Sequence, residues 1–127
     1  HLQPDIYQLA NPETLHPHLS AEMARRDLHL EDEEVLLAIA RHMSGAPEMT
    51  VLDAVVNLAD YIEPSRNYPD VEEIRGMAEG SLFYTLCECI GRTMILVIKS
   101  GSVLHPDTLR TWNALKMRTA AQKGEAK

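Results

Sequence analysis

Ala59-Asp60-Tyr61-Ile62-Glu63-Pro64-Ser65-Arg66 is the stretch that decides the fold, because it ends an apolar helix at a proline and sets a carboxylate beside an arginine. Thr50, with Asp53 three positions later, is typical of a capping box at the start of that helix. Five apolar residues follow the cap at helical spacing: Leu52, Val55, Val56, Ala59 and Ile62. Asp60 is therefore predicted beside the buried stripe, where a carboxylate is costly unless a cation or hydrogen-bond donors compensate it. The stretch predicts a corner that binds metal and phosphate.

Two histidines upstream are candidates to share a metal with Asp60. His42 lies near the end of the apolar face of a helix predicted over residues 31–43. His16 lies just ahead of a helix predicted over about residues 19–28. Neutral imidazole and carboxylate are ligands that suit zinc, iron or manganese. Because the three residues belong to different helices, their spacing alone is not a specific signal.

The rest of the chain predicts helices, and strand alternation is absent. Three further helices are predicted, over about residues 70–79, over about residues 81–100, and from Pro106 to a polar tail at about 119–127. His105 is predicted to cap the last of them. With 127 residues and no internal repeat, the sequence predicts one all-α domain over residues 1–127.

Composition narrows the possible partners. The apolar fraction of 45% and the charged fraction of 24% are typical of a globular domain. The net charge of −7 argues against non-specific binding to nucleic acid, which needs a basic surface. The longest apolar run, Met94–Ile98, is too short to cross a bilayer, and no signal peptide is visible. We therefore expect no membrane partner. Cys87 and Cys89 point about 200° apart on a predicted helix, so we expect no disulfide between them and a reducing, cytoplasmic setting.

Several short motifs together resemble one family. They are His42-Met43-Ser44-Gly45, Met49-Thr50, Ala59–Arg66, Pro69-Asp70-Val71, Ile74-Arg75, and His105-Pro106-Asp107-Thr108 with Asn113. In this combination they resemble the bacterial HD-domain symmetrical diadenosine tetraphosphate hydrolases of the YqeK type. The resemblance covers roughly residues 11–115, and the segment around Asp60 is its most specific part. It implies an all-α, HD-domain-like helical bundle.

The resemblance also implies an activity and its residues. It implies a symmetrical bis(5'-nucleosyl)-tetraphosphatase, a metal-dependent phosphohydrolase that acts on a dinucleoside polyphosphate and releases nucleoside diphosphates. The implied cofactor is a divalent or trivalent metal, iron first and manganese second, in a two-metal site of the complete domain. His16, His42 and Asp60 match the last three metal ligands of the family, with Asp60 also the catalytic residue. The residues expected to bind substrate phosphate are Arg66, Arg75 and Ser44.

The chain departs from the family in its first part. No His-Asp dipeptide occurs among the 127 residues, so the first histidine and the His-Asp pair of the family are expected upstream of residue 1. The chain is therefore predicted to be the C-terminal portion of an N-terminally incomplete domain, which could pair with the missing part or form a homo-oligomer. The alternative is a catalytically silent HD-like module that binds nucleotide or a protein partner. The activity of the 127 residues alone stays open.

Individual residues also have simpler interpretations. His18 competes with His16 as the ligand ahead of the second helix, although the resemblance favours His16. Asp60 could form a salt bridge with Arg66 instead of binding a metal. Arg75 could pair with an acidic residue of its own helix, Glu72 or Glu79, instead of contacting phosphate.

Overall fold

The computed structural model describes residues 4–125, except for the side chains of residues 12, 13 and 122–125. The elements in chain order are α1 (Ile6–Ala10), a 3-10 helix (Pro12–Leu15), α2 (His16–Asp27), α3 (Glu33–Ala40), α4 (Val51–Ile62), α5 (Val71–Ala78), α6 (Leu82–Lys99) and α7 (Pro106–Glu125). No strand occurs among the described residues, so the all-α prediction is confirmed. No helix within residues 4–125 is both long enough and apolar enough to span a membrane.

The helix ends follow local chemistry. The capping box predicted at α4 is present, because the Asp53 amide donates to Thr50 Oγ1 at 3.0 Å and the Thr50 amide donates to Asp53 Oδ2 at 3.0 Å. His105 caps α7 as predicted, since its Nδ1 accepts from the Asp107 amide at 3.0 Å. Helix α2 begins earlier than predicted, with Pro17 in its first turn, where a missing N–H costs nothing.

Helix α4 lies at the centre of the packing. It contacts α3, α5 and α6, while α6 also packs along α7. The buried core comes mainly from α4, α5 and α6: Met49, Ala54, Leu58, Ile74, Leu86, Cys87, Cys89, Ile90, Met94 and Leu115. The first part of the Asp60 stretch therefore belongs to a packed helix, and residues 63–66 lie in the connection between α4 and α5.

The predicted buried stripe of α4 is wrong. The buried residues of this helix are Asp53, Ala54, Asn57 and Leu58. Val55, which was predicted inside, is 47% exposed, and Ala59 is exposed as well. Apolar residues occur on every side of α4, so periodicity could not select the face that packs against α6. The buried Asp53 carboxylate is compensated by the Thr50 cap and by Arg41, whose Nη1 lies 3.4 Å from Asp53 Oδ2.

The end of the chain continues as helix. Helix α7 runs to Glu125, so residues 119–125 of the predicted polar tail are helical, and residues 126 and 127 lie outside the described part. The division into one domain with a tail stays a prediction.

A hydrogen bond between the Tyr61 hydroxyl and Thr93 Oγ1, 2.9 Å long, joins α4 to α6. The burial of Tyr61 and Cys89, and not this bond, makes stability sensitive to alkali. Burial raises the pKa of Tyr61 from 10.0 to about 12, and burial raises the pKa of the Cys89 thiol from 9.0 to about 11. The unfolded chain therefore loses these protons first as pH rises. Stability should be constant with respect to these groups below pH 9 and fall between pH 9 and 12.

Chemical unfolding at several pH values would measure this loss. The total loss over this range should be on the order of a few kcal/mol. The Tyr61→Phe variant should lose stability less steeply than the parent above pH 10, and Cys89→Ala should flatten the region between pH 9 and 11. Equal pH profiles for all three proteins would contradict the assignment.

Candidate active site

The turn that carries His42 is fixed by a glycine. The Gly45 amide donates to the Arg41 carbonyl at 2.8 Å, and Gly45 has a φ of 75°, which glycine adopts without strain. A Cβ atom on Gly45 would lie only 2.8 Å from Thr111 Oγ1. The turn after α3 therefore packs directly against α7, and His42 is held in place by that contact.

The structure brings His16 and His42 together. His16 is the first residue of α2, and its Nε2 atom lies 3.2 Å from His42 Nε2. The two ring centroids are 5.1 Å apart, with 63° between the ring planes. His42 Nδ1 donates to the Ile39 carbonyl, because a carbonyl oxygen can only accept, and in the neutral ring this leaves a lone pair on Nε2.

This histidine geometry fits a pair of metal ligands. Two nitrogens that each lie about 2.1 Å from a tetrahedral ion are about 3.4 Å apart, close to the 3.2 Å between His16 Nε2 and His42 Nε2. A ring N–H donated to a backbone carbonyl, as from His42 to Ile39, is also the usual way in which proteins orient a metal-binding imidazole. The donor set of these two residues is therefore compatible with one metal ion.

Asp60 has a different environment from the one predicted. Its side chain is 44% exposed, so the expectation of a carboxylate beside the buried stripe is wrong, because Asp60 lies away from the buried face of α4. Its Oδ1 atom accepts from Arg66 Nη2 at 3.0 Å, and Arg66 Nε donates to the Asp60 carbonyl at 2.9 Å. The simpler interpretation, a salt bridge to Arg66, is present. A half-exposed pair contributes at most about 1 kcal/mol, so a cation could displace it.

His42 and Asp60 line one cavity of about 400 Å³. Aromatic, apolar and cationic side chains complete its wall, among them Met43, Tyr68, Arg66 and Arg92. Ser44 lines an adjoining cavity of about 400 Å³ that shares Met43 with the first. Within the described part of the chain, no three His, Cys, Asp or Glu side chains are grouped closely enough to hold a metal. The site thus has a histidine pair. Of these two histidines, only His42 lines the same cavity as Asp60.

Arg75 is directed at the backbone. It lies on α5, and its guanidinium donates to the carbonyls of Ile62, Glu63 and Arg66 and to the Glu72 carboxylate. The alternative pairing with an acidic residue of its own helix is therefore present. Arg75 is not among the residues that line the Asp60 cavity.

Two residues at the cavity were missed by the sequence analysis. The Tyr68 hydroxyl donates to the Tyr61 carbonyl at 2.8 Å. Arg92 forms ion pairs with three carboxylates, those of Asp70, Glu73 and Glu88. No local pattern signals either role, because the Tyr68 partner is a backbone carbonyl and two of the Arg92 partners lie on or beside another helix.

Comparisons with known proteins agree with this architecture. A model of the HD domain family matches residues 1–65. The chain is 42% identical over 105 residues to the symmetrical bis(5'-nucleosyl)-tetraphosphatase of Bacillus subtilis. The matched segment covers 83% of this chain and 56% of that protein. The proteins of the same name from Halalkalibacterium halodurans and Staphylococcus aureus are 39% and 36% identical, over 81% and 84% of this chain and 55% and 59% of theirs. The chain thus spans little more than half the length of these curated relatives.

A solved structure shares the fold. The crystal structure of a predicted HD superfamily hydrolase involved in NAD metabolism, from Clostridium acetobutylicum, superposes with a TM-score of 0.86 at 33% identity. The match covers 91% of this chain and 61% of that protein. The all-α HD-domain fold expected from the motifs around Asp60 is confirmed. Because the family model covers more than half of the 127 residues and the helices superpose on a solved HD superfamily member, this chain belongs to the HD domain family.

Proposed function

We propose that the chain is the larger part of a metal-dependent phosphohydrolase that cleaves dinucleoside tetraphosphates symmetrically to two nucleoside diphosphates. The observation that carries the proposal is the 3.2 Å contact between His16 Nε2 and His42 Nε2, with Asp60 in the cavity that His42 lines. The names of the curated relatives support the same reaction.

The chain offers ligands for a metal. HD domain hydrolases are generally dependent on divalent metals, and we propose iron, with manganese as the second choice. His16 and His42 would hold one ion, and Asp60 would contribute to a second ion in the complete domain. A bound ion would act as a Lewis acid on a phosphoryl oxygen. The remaining ligands, including a His-Asp pair, would come from a segment that pairs with this chain.

Arg66 is the proposed phosphate-binding residue at the cavity. The Arg66 side chain is 47% exposed and pairs with Asp60. Its guanidinium is therefore accessible to solvent and to a ligand in the cavity. If the Asp60 carboxylate bound a cation, Arg66 Nη2 would be free to donate to a phosphate oxygen, while Arg66 Nε would keep its bond to the Asp60 carbonyl. Such charge-assisted bonds are strong and geometrically specific.

Ser44 is a second proposed donor to the phosphate chain, from the adjoining cavity. Arg75 has a weaker claim to direct phosphate contact, because its donors are directed at carbonyls. The proposed partners are a dinucleoside polyphosphate and its nucleoside diphosphate product in the cytoplasm, with no nucleic acid or membrane. The net charge of −7 requires that polyphosphate bind through a local positive field.

One observation favours a second candidate function. Because no three metal-binding side chains are grouped within the described residues, the 127 residues could be a silent module that binds nucleotide or a protein partner. The two candidates differ in whether a supplied His-Asp segment restores turnover.

A chimaera tests the proposed function. The N-terminal part of the Bacillus subtilis relative is placed ahead of residue 1, and the protein is loaded with iron or manganese. We expect ADP as the only nucleotide product from diadenosine tetraphosphate, and little or no turnover by the 127 residues alone, because they hold too few ligands. Chromatography of the products separates this result from asymmetric cleavage to ATP and AMP. The control is the chimaera stripped of metal.

Two results would count against the proposal. A folded, metal-loaded chimaera without turnover would favour the silent module. Robust turnover by the 127 residues alone would show that the essential ligands have been misplaced.

A further inference from the structure

The C-terminal end of α4 lacks the usual backbone cap. Helix α4 ends at Ile62, and Pro64 has no N–H to offer to the preceding carbonyls. The last carbonyls of a helix have no partner within it. Here three side chains from the following segment supply the donors: Arg66 to the Asp60 carbonyl, Tyr68 to the Tyr61 carbonyl and Arg75 to the Ile62 carbonyl. The geometry of Asp60 thus depends on side chains that follow it in sequence.

Arg75 makes the most extensive set of these contacts. Its Nε donates to the Ile62 carbonyl at 3.1 Å, and its Nη2 donates to the carbonyls of Glu63 and Arg66 at 2.9 and 3.1 Å. Its side chain is 27% exposed. The contact with the Arg66 carbonyl lies outside the helix, and Arg66 is the residue that pairs with Asp60. An arginine that only capped α4 would not need that contact.

We infer that Arg75 is a positioning residue for Arg66. By fixing the carbonyls of Ile62, Glu63 and Arg66 at once, it sets the bend after α4 and places the Arg66 guanidinium beside Asp60 at the cavity. The planar fork of a guanidinium serves three carbonyls in this way, whereas a lysine ammonium has no fixed donor geometry. The effect on ligand binding rests on the proposed function, because it assumes that Arg66 binds phosphate. The effect on Arg66 itself does not.

The first test follows the Arg66 side chain by NMR in protein labelled with ¹⁵N-arginine. The Arg66 Nε–H donates to the Asp60 carbonyl and should exchange slowly with water. In Arg75→Lys we expect this exchange to become roughly three- to tenfold faster, as expected for a weakened hydrogen bond. The control is Glu72→Gln, which removes the exposed carboxylate partner of Arg75. It should leave the Arg66 signal unchanged.

The second test is a double-mutant cycle on the affinity of the protein for diadenosine tetraphosphate, measured by calorimetry. Arg66→Ala should weaken binding roughly tenfold or more, as loss of a charge-assisted bond predicts. Arg75→Lys should weaken binding roughly three- to tenfold in the parent and have no further effect when Arg66→Ala is present. That non-additivity is the signature of a residue that acts through Arg66.

The outcomes are distinguishable. An unchanged Arg66 signal in Arg75→Lys, with only a lower melting temperature, would overturn the inference and leave Arg75 as a helix cap. Equal losses of affinity in both backgrounds would also overturn it. If the parent does not bind diadenosine tetraphosphate, the proposed function is judged by the chimaera and the NMR result alone decides the role of Arg75. If Arg75→Lys does not fold, Arg75→Gln, which keeps an amide donor, gives the same comparison.

Discussion

Replacing Asp60 by alanine in the metal-loaded chimaera is expected to lower turnover of diadenosine tetraphosphate more than about a hundredfold, because loss of even an outer partner of a metal ligand costs 10- to 100-fold. The fold should survive. Asp60 is 44% exposed and its ion pair with Arg66 is accessible to water, so the change in unfolding free energy should be at most about 1 kcal/mol. Turnover, metal content and chemical unfolding are measured on the same preparation.

The matched control is Asp27→Ala. Asp27 is also an exposed carboxylate paired with an arginine, Arg26, but it lies at the end of α2 and does not line the cavity. It should leave turnover and metal content unchanged. If Asp60→Ala kept near-normal turnover, Asp60 would be only the salt-bridge partner of Arg66, and the ligand assignment would be wrong.

Local sequence rules predicted the features that depend on residues close together in the sequence, namely the caps and ends of helices. The capping box of Thr50 and Asp53, the end of α4 before Pro64 and the cap of His105 depend on residues a few positions apart. The buried face of α4 could not be predicted in the same way. Val51 and Val55 are as apolar as the buried Leu58, and only packing against α6 decides which side is inside.

The contacts of the candidate site could not be predicted from local sequence rules. His16 and His42 are 26 positions apart, and no periodicity relates residues of different helices that meet in space. Both were candidates from their positions near helix ends, the resemblance favoured them as ligands, and the structure supplies the contact. The caps of α4 were missed for a related reason. Arg75 and Tyr68 bind backbone carbonyls, and a carbonyl is the same at every position of the sequence.

Replacing His42 by alanine is expected to reduce metal affinity of the chimaera more than about a hundredfold, and turnover with it, since a ligand is deleted and not merely an outer partner. His16→Ala should have a similar effect, because the two Nε2 atoms are 3.2 Å apart and would hold the same ion. Metal titration of the stripped chimaera, followed by elemental analysis, measures both losses.

Two other histidines complete the comparison with His42. His29→Asn is the control, since His29 is exposed and has a φ of 55°, a conformation that asparagine tolerates. His18→Asn tests the competing ligand, and we expect it to change stability, because His18 is buried, more than metal affinity. The rival account of the His16–His42 contact is a simple imidazole hydrogen bond. In that case His42→Ala would lower the unfolding free energy by about 1 kcal/mol and leave metal content intact. A ligand pair predicts instead that the variant loses its metal. The metal content of His42→Ala therefore decides whether the histidine pair is a metal site.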